Sequence, residues 1–275
     1  MSGPNINKVF NTALVNGYVK GKLDEDLTNL IQAGEMLEYN MKNGKPIFQT
    51  RTKIDSDTRQ TSFSESDIPL KFKPMISALL NQAYSSLGLN ESRPVEKAYL
   101  NILTSQPGRP TQQAHTDFNP TKIREKFYIY DTHTNSYIPD EARIEEIPFF
   151  AILALEDETE FCVVKYSHTK MLNDYYLEGD TNAFTVLKLQ KGEYVIVHPC
   201  TVHFGAPYNR VNTRLHWYMD SMLFSRPKNS TNLLDNINFV SNTQLALMRR
   251  IEKDGGKKLK KRNSALQLIT NNKNK

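Results

Sequence analysis

The chain has 275 residues and a mass of 31.6 kDa, enough to bury a substantial core in one large domain or two small ones. With 39% hydrophobic, 24% charged and 10% aromatic residues it has an ordinary globular composition, and a mean hydropathy of −0.55 without a long apolar run speaks against a membrane-spanning helix. The net charge is +5, but much of the excess lies in one run, KDGGKKLKKRNS at 253–264, so it does not imply a basic folded surface.

The N-terminal MSGPNINKVF lacks the basic patch and apolar stretch of a secretory signal. Two cysteines, Cys162 and Cys200, are too few for a disulfide framework, so a reducing, cytoplasmic setting is expected, or a nuclear one in a eukaryotic or viral source. NGYVKGKLDEDLTNLIQAGEML reads as a short strand over Tyr18–Lys20, a turn through Gly21 and a helix capped by Asp24. Glu25 and Asp26 suit its first turn, and Leu27, Leu30 and Ile31 fall on one face. A polar segment then leads to a second helix, Pro74–Leu87, with Ile76, Leu79, Leu80 and Tyr84 at helical spacing.

From about Ala98 the pattern changes to strands. AYLNILTS, FFAILAL, FCVVKYS, FTVLKL, EYVIVHP and RLHWYMDSML are short, β-branched or aromatic, and bounded by turn formers, with EDETE as the turn between the second and third. Such a series predicts an all-β sandwich or barrel rather than a parallel sheet with crossover helices. A polar insertion spans roughly 121–146, and a last helix is expected at about Asn242–Lys253. The organisation expected is one domain over 1–253, mainly β with flanking helices (an α+β chain), with its β core at about 95–225. A basic, Asn-rich tail follows at 254–275.

One constellation carries chemistry. In QQAHTDFNP, residues two apart on a strand share a face, so His115 and Asp117 would project together with Gln113 beside them. Of the six histidines, His203 has the best context for a third ligand, since the strongly β segment KGEYVIV runs into the turn around it. Eleven residues on, from 203 to 214, stands Arg214, whose alternation partners His216, Tyr218 and Asp220 share its face. A buried guanidinium needs an anion and binds carboxylates with two hydrogen bonds. Two histidines and a carboxylate on one face of an octahedral ion form the facial triad of non-haem Fe(II) oxygenases. Zinc is the competing metal, but a hydrolytic zinc site would have no use for that arginine.

These residues resemble the Fe(II)/2-oxoglutarate-dependent dioxygenases, most closely the phytanoyl-CoA dioxygenase-like branch. The resemblance rests on HTD at 115–117, VIVHPCTVHFGAP at 195–207, Arg214, the 88 positions from His115 to His203, and the strand-then-helix opening GYVKGKLDEDLTNLIQAG. AILALEDETEFCVVKYSHTK further resembles the family segment ending in Pro-Gly-Ser-His, although Lys165 and Tyr166 replace its Pro and Gly, and Phe204 follows His203 where relatives carry Gly. The resemblance implies a double-stranded β-helix (jelly-roll, cupin-like) core with an N-terminal helical layer. It implies Fe(II) on His115, Asp117 and His203, and 2-oxoglutarate bound through Arg214, with Gln113 beside the ligands as a further contact. It also implies O2 as oxidant, and hydroxylation of a substrate coupled to decarboxylation of 2-oxoglutarate to succinate and CO2. Asp117, in place of the Gly or Ala of related halogenases, favours hydroxylation. His168 by family analogy, and His216 and Tyr218 by their face, are candidates to line the pocket. Other residues have plain readings: His198 packing at a strand end, His133 on a surface loop, both cysteines as small buried groups, and Trp217 and Met219 in the core.

A small-molecule substrate leads, with no membrane partner. Action on a protein side chain ranks below it, because prolyl hydroxylases usually carry lysine at the Arg214 position. Nucleic acid also ranks below, kept open by the basic tail, because the related demethylases use a second arginine where this chain has Asp220. A non-catalytic cupin-like metal-binding module is the alternative outside enzymes, and an intact ligand set counts against it.

Overall fold

The computed structural model describes residues 8–43, 45–46, 60–64, 68–87, 99–108, 111–173, 184–220, 223–224 and 232–233. The expected helix at 242–253 and the basic tail at 254–275 lie outside them. Among the described residues no helix is long and apolar enough to cross a membrane.

The chain opens with helix α1 (Lys8–Asn16). Gly17 ends it at φ +82°, a left-handed conformation that a Cβ would strain. Strand β1 (Tyr18–Lys22) continues through Gly21, where a turn is expected from sequence. Gly21 serves close approach instead: a Cβ there would collide with the Tyr194 ring. Asp24 caps α2 (Glu25–Leu30) as predicted, its Oδ1 accepting from the Leu27 N–H at 2.8 Å. The single helix expected there is two, because Ile31 is extended before α3 (Ala33–Asn43). That break buries Ile31 while Leu30 stays 53% exposed, so the predicted common face does not form.

Strands β2 (Lys45–Pro46) and β3 (Gln60–Ser64) follow, then α4 (Lys73–Leu87), which buries Ile76, Leu79, Leu80 and Tyr84 as their spacing predicts. Next come β4 (Tyr99–Ser105), β5 (His115–Thr116) and α5 (Pro120–Phe127). The polar insertion is thus ordered structure: α5 runs into a hairpin of β6 (Tyr128–Asp131) and β7 (Ser136–Pro139). The remaining elements are β8 (Phe150–Ala154), β9 (Thr159–Val164), α6 (Ser167–Leu172), β10 (Phe184–Leu189), β11 (Glu193–Val197), β12 (His203–Gly205), β13 (Asn212–Tyr218) and β14 (Asn232–Leu233).

Two antiparallel sheets form the core. One has the order β1-β11-β8-β13-β4-β3-β2, the other β10-β9-β12-β5-β14. The EDETE turn therefore carries the chain from β8 in the first sheet to β9 in the second. FFAILAL is apolar throughout because β8 lies in the middle of the larger sheet with every residue buried. Phe150 from β8 packs on Phe161 from β9 across the interior, ring centroids 6.4 Å apart. This arrangement is the double-stranded β-helix, with α1–α4 beside the larger sheet. β5 and β12 belong to one sheet and β13 to the other, so the ligand candidates and Arg214 come from opposite walls.

Candidate metal centre

HTDFNP folds as a strand end followed at once by a helix start. His115 and Thr116 form β5, and Thr116 Oγ1 donates to Phe118 O at 2.7 Å as the chain bends. Asn119 then caps α5, accepting from the Lys122 N–H at 3.2 Å, with Pro120 in the first turn where its missing N–H costs nothing. The bend leaves Asp117 just beyond the strand yet beside His115. Across the ladder His203 pairs directly with His115, so residues 88 positions apart in sequence meet.

The three side chains are buried, each 2–3% exposed, and each offers a ligand atom within 4.8 Å of the others. Asp117 Oδ1 lies 3.6 Å from His115 Nε2, and Oδ2 lies 3.7 Å from His203 Nε2. Both imidazoles are oriented in the same way. His115 Nδ1–H donates to Gln113 O at 2.7 Å, and His203 Nδ1–H donates to Thr201 O at 2.9 Å. Spending the Nδ1 proton on a carbonyl two residues back fixes the tautomer that leaves Nε2 as an electron-pair donor, as metal-binding histidines require. Burial by itself would raise the pKa of Asp117. The imidazoles of His203, His216 and His115 more than reverse that, and hold the carboxyl well below the usual carboxylate range. A buried, ionised carboxylate facing two oriented Nε2 atoms fits a divalent cation with nitrogen and oxygen ligands.

The opposite wall supplies Arg214, 4% exposed, on β13. Its Nη1 donates to Ser105 Oγ at 2.8 Å, and the Tyr208 ring lies 5.9 Å from the guanidinium carbon. The alternation expected along β13 holds: His216 reaches Asp117, its Nε2 3.4 Å from Oδ2, and Tyr218 follows on the same face, its ring 4.8 Å from that of His216. Phe150 and Phe161 pack on His203 at 4.6 and 5.2 Å between centroids. Trp217 and Met219 point into the core, as read from sequence.

Gln113 meets the site through its main-chain carbonyl. The neighbouring side chain is that of Gln112, buried, with Nε2 3.5 Å from His115 Nε2. Its Oε1 accepts from the Gly205 N–H at 3.0 Å, and its own N–H donates to Gly205 O at 3.0 Å. Gln112 therefore ties the segment before His115 to the segment after His203. Sequence reasoning missed it because regular strand begins only at His115, so alternation does not reach back to 113.

His168 departs from the pocket-lining expectation. It packs against the end of α1, its Nε2–H donating to Leu14 O at 2.8 Å, with its ring 5.0 Å from that of His198. Burial pushes its pKa down to about 4, against a smaller opposing effect of the Leu14 carbonyl. His198 is fully buried and its pKa is also lowered, by desolvation first and His168 second. Its Nδ1 accepts from the Cys200 N–H at 3.2 Å, which places its proton on Nε2 and towards Tyr128 Oη at 2.6 Å. The loop beneath it touches the end of α1: the His198 N–H and Thr201 Oγ1 both donate to Gly17 O at 2.8 Å. A Cβ on Gly17 would fall 2.6 Å from His168 Nδ1, so only glycine fits there. His133 sits exposed at the tip of the β6–β7 hairpin, and Cys162 and Cys200 are buried and free, all as their plain readings have it.

No protein-family model matches the chain, and none of the curated proteins matches it in sequence. Solved structures match it in fold. One is the non-heme alpha ketoglutarate dependent carbocyclase SnoK from nogalamycin biosynthesis, at TM-score 0.50 and 17% identity over 78% of this chain and 85% of that one. Another is the non-heme alpha ketoglutarate dependent epimerase SnoN from the same biosynthesis, at TM-score 0.50 and 13% identity over 86% of this chain and 93% of that one. At such identities the likeness bears on the fold, and it agrees with the double-stranded β-helix seen in the sheets.

Proposed function

We propose that this chain is a non-haem Fe(II)- and 2-oxoglutarate-dependent oxygenase that hydroxylates a small-molecule substrate. The observation that carries the reading is the convergence of His115, Asp117 and His203 on one wall with Arg214 on the other. His115, Asp117 and His203 would hold the iron through two Nε2 atoms and a carboxylate oxygen, leaving the opposite coordination face open. Iron so held supplies the oxidative decarboxylation of 2-oxoglutarate to succinate and CO2 with O2, and the oxidising power for the substrate. Arg214 supplies a fixed, buried positive fork for the far carboxylate of 2-oxoglutarate, with Ser105 steadying it and the Tyr208 ring beside it. His216 and Tyr218 border the same space, and Phe150 and Phe161 pack against the His203 ring.

The double-stranded β-helix shared with SnoK and SnoN supports the reading, since both are alpha ketoglutarate dependent enzymes of nogalamycin biosynthesis. HTD, the distal VHFGAP and Arg214 support the phytanoyl-CoA dioxygenase-like branch within this reading, and no coenzyme-A specificity is carried over with it. A cytoplasmic setting fits two free, buried cysteines.

Anaerobic addition of Fe(II) and then 2-oxoglutarate should give a weak visible charge-transfer band, and aerobic turnover should yield succinate. Arg214→Ala should raise the 2-oxoglutarate Kd roughly 10- to 100-fold, the worth of a lost charge-assisted pair, with Fe(II) affinity retained. A wild-type protein that gives neither band nor succinate would end the oxygenase reading. An Arg214→Ala protein with unchanged 2-oxoglutarate affinity would remove that role from the arginine. Succinate release across a metabolite panel then identifies the substrate.

A further inference from the structure

The cluster contains a third imidazole that a two-histidine triad does not use. His216 Nε2 is 3.4 Å from Asp117 Oδ2, closer to the carboxylate than His115 at 3.6 Å or His203 at 3.7 Å. It is nevertheless not one of the residues whose ligand atoms all lie within 4.8 Å of one another. His216 thus approaches the aspartate alone, from the opposite wall.

Its position is fixed. The backbone of His216 pairs with Asn101 on one side and Ile152 on the other, in the interior of the seven-stranded sheet. Its ring is held between Phe150, 5.4 Å away and edge-on, and Tyr218, 4.8 Å away. A carboxylate ligand can chelate an ion through both oxygens or bind through one. A donor on the second oxygen favours binding through one and fixes its direction.

We propose that His216 is the positioning residue for Asp117: its Nε2–H donates to Oδ2, leaves Oδ1 to the metal beside His115, and so holds the aspartate to a single coordination position. This deepens the metal reading above and rests on it. The consequence is chemical. With one position per ligand, three remain for a two-toothed keto acid and an oxidant. A chelating aspartate would take one of those three.

The test reads the metal rather than turnover. Co(II) is titrated anaerobically into the full chain against a chelating dye, and the visible d–d spectrum of each complex is recorded. His216→Leu keeps bulk between Phe150 and Tyr218 but has no donor. It should bind Co(II) about 10- to 100-fold more weakly, the usual cost of losing such a partner, and its spectrum should shift. His216→Gln, which offers an amide N–H, should recover most of the affinity and the wild-type spectrum. Should His216→Leu fail to fold by circular dichroism, His216→Ala serves as the donor-less variant. Wild-type affinity and spectrum in the donor-less protein would overturn the proposal, as would His216→Gln behaving no better than His216→Leu. The metal reading fails separately, if wild type binds no Co(II) or if His203→Ala binds it equally well.

Discussion

The protein holds two buried groups of histidines that differ in one respect. At the candidate metal centre, His115, His203 and His216 surround a carboxylate. Behind it, His168 and His198 face each other with carbonyl, amide and phenol partners, and among the described residues no carboxylate pairs with either. Burial is similar, 2–3% exposed for His115 and His203 and 0–2% for the second pair. What separates them is where the ring nitrogens are used. In the first group His115 and His203 spend Nδ1 on the backbone, and the Nε2 atoms of all three rings converge on an anion. In the second, His198 uses both nitrogens within the protein and His168 anchors α1 through Nε2. Histidine density therefore does not make a metal site; the direction of Nε2 and a nearby negative charge do.

The sharpest way to break this contrast is to remove the charge. Asp117→Ala should abolish tight Co(II) or Fe(II) binding, measured by anaerobic titration, despite three remaining imidazoles. Retained affinity would show that the histidines suffice. A second effect lies in the other group and depends on acid. His168 titrates near 4 in the folded chain against about 6.5 unfolded, so the unfolded state binds more protons between those values. Its contribution to stability is complete above pH 6.5 and is lost as pH falls towards 4, by as much as about 3 kcal/mol. His168→Gln, which can still donate to Leu14 O, should flatten the fall in urea-unfolding free energy between pH 7 and 4.5 without weakening metal binding. An unchanged slope would refute the assignment, and His198 would supply whatever slope remains. The smallest effect is expected from Tyr128→Phe, which removes the phenol beside His198 and should cost roughly 1 kcal/mol, leaving Co(II) affinity as it was.

The legible parts of this sequence are those governed by short-range periodicity. The six long β segments and the α4 face follow from alternation or helical spacing, and Arg214, His216 and Tyr218 share a face for the same reason. His115, Asp117 and His203 were legible as a set only through the arginine beyond them, since His-x-Asp alone is weak. Other features depend on tertiary contact and left little trace. The insertion hid α5 because only Ile123 and Phe127 mark its buried face, although Asn119-Pro120 carries a readable cap. Gly21 looked like a turn because a glycine needed to clear Tyr194 has the same symbol as one needed for a bend. His168 follows the same lesson: a resemblance suggests a role, but the local backbone decides where the side chain goes.

The chain of contacts from Gly17 to Thr201 to His203 has a meaning in time as well as in space. Gly17 O receives Thr201 Oγ1 across 184 positions, and Thr201 O in turn receives the proton of His203 Nδ1. Contacts that close such long loops form only after the entropy of closure has been met, late in folding. A growing chain therefore carries His115 long before His203 is held in place, because the loop that orients His203 is anchored on the end of the first helix.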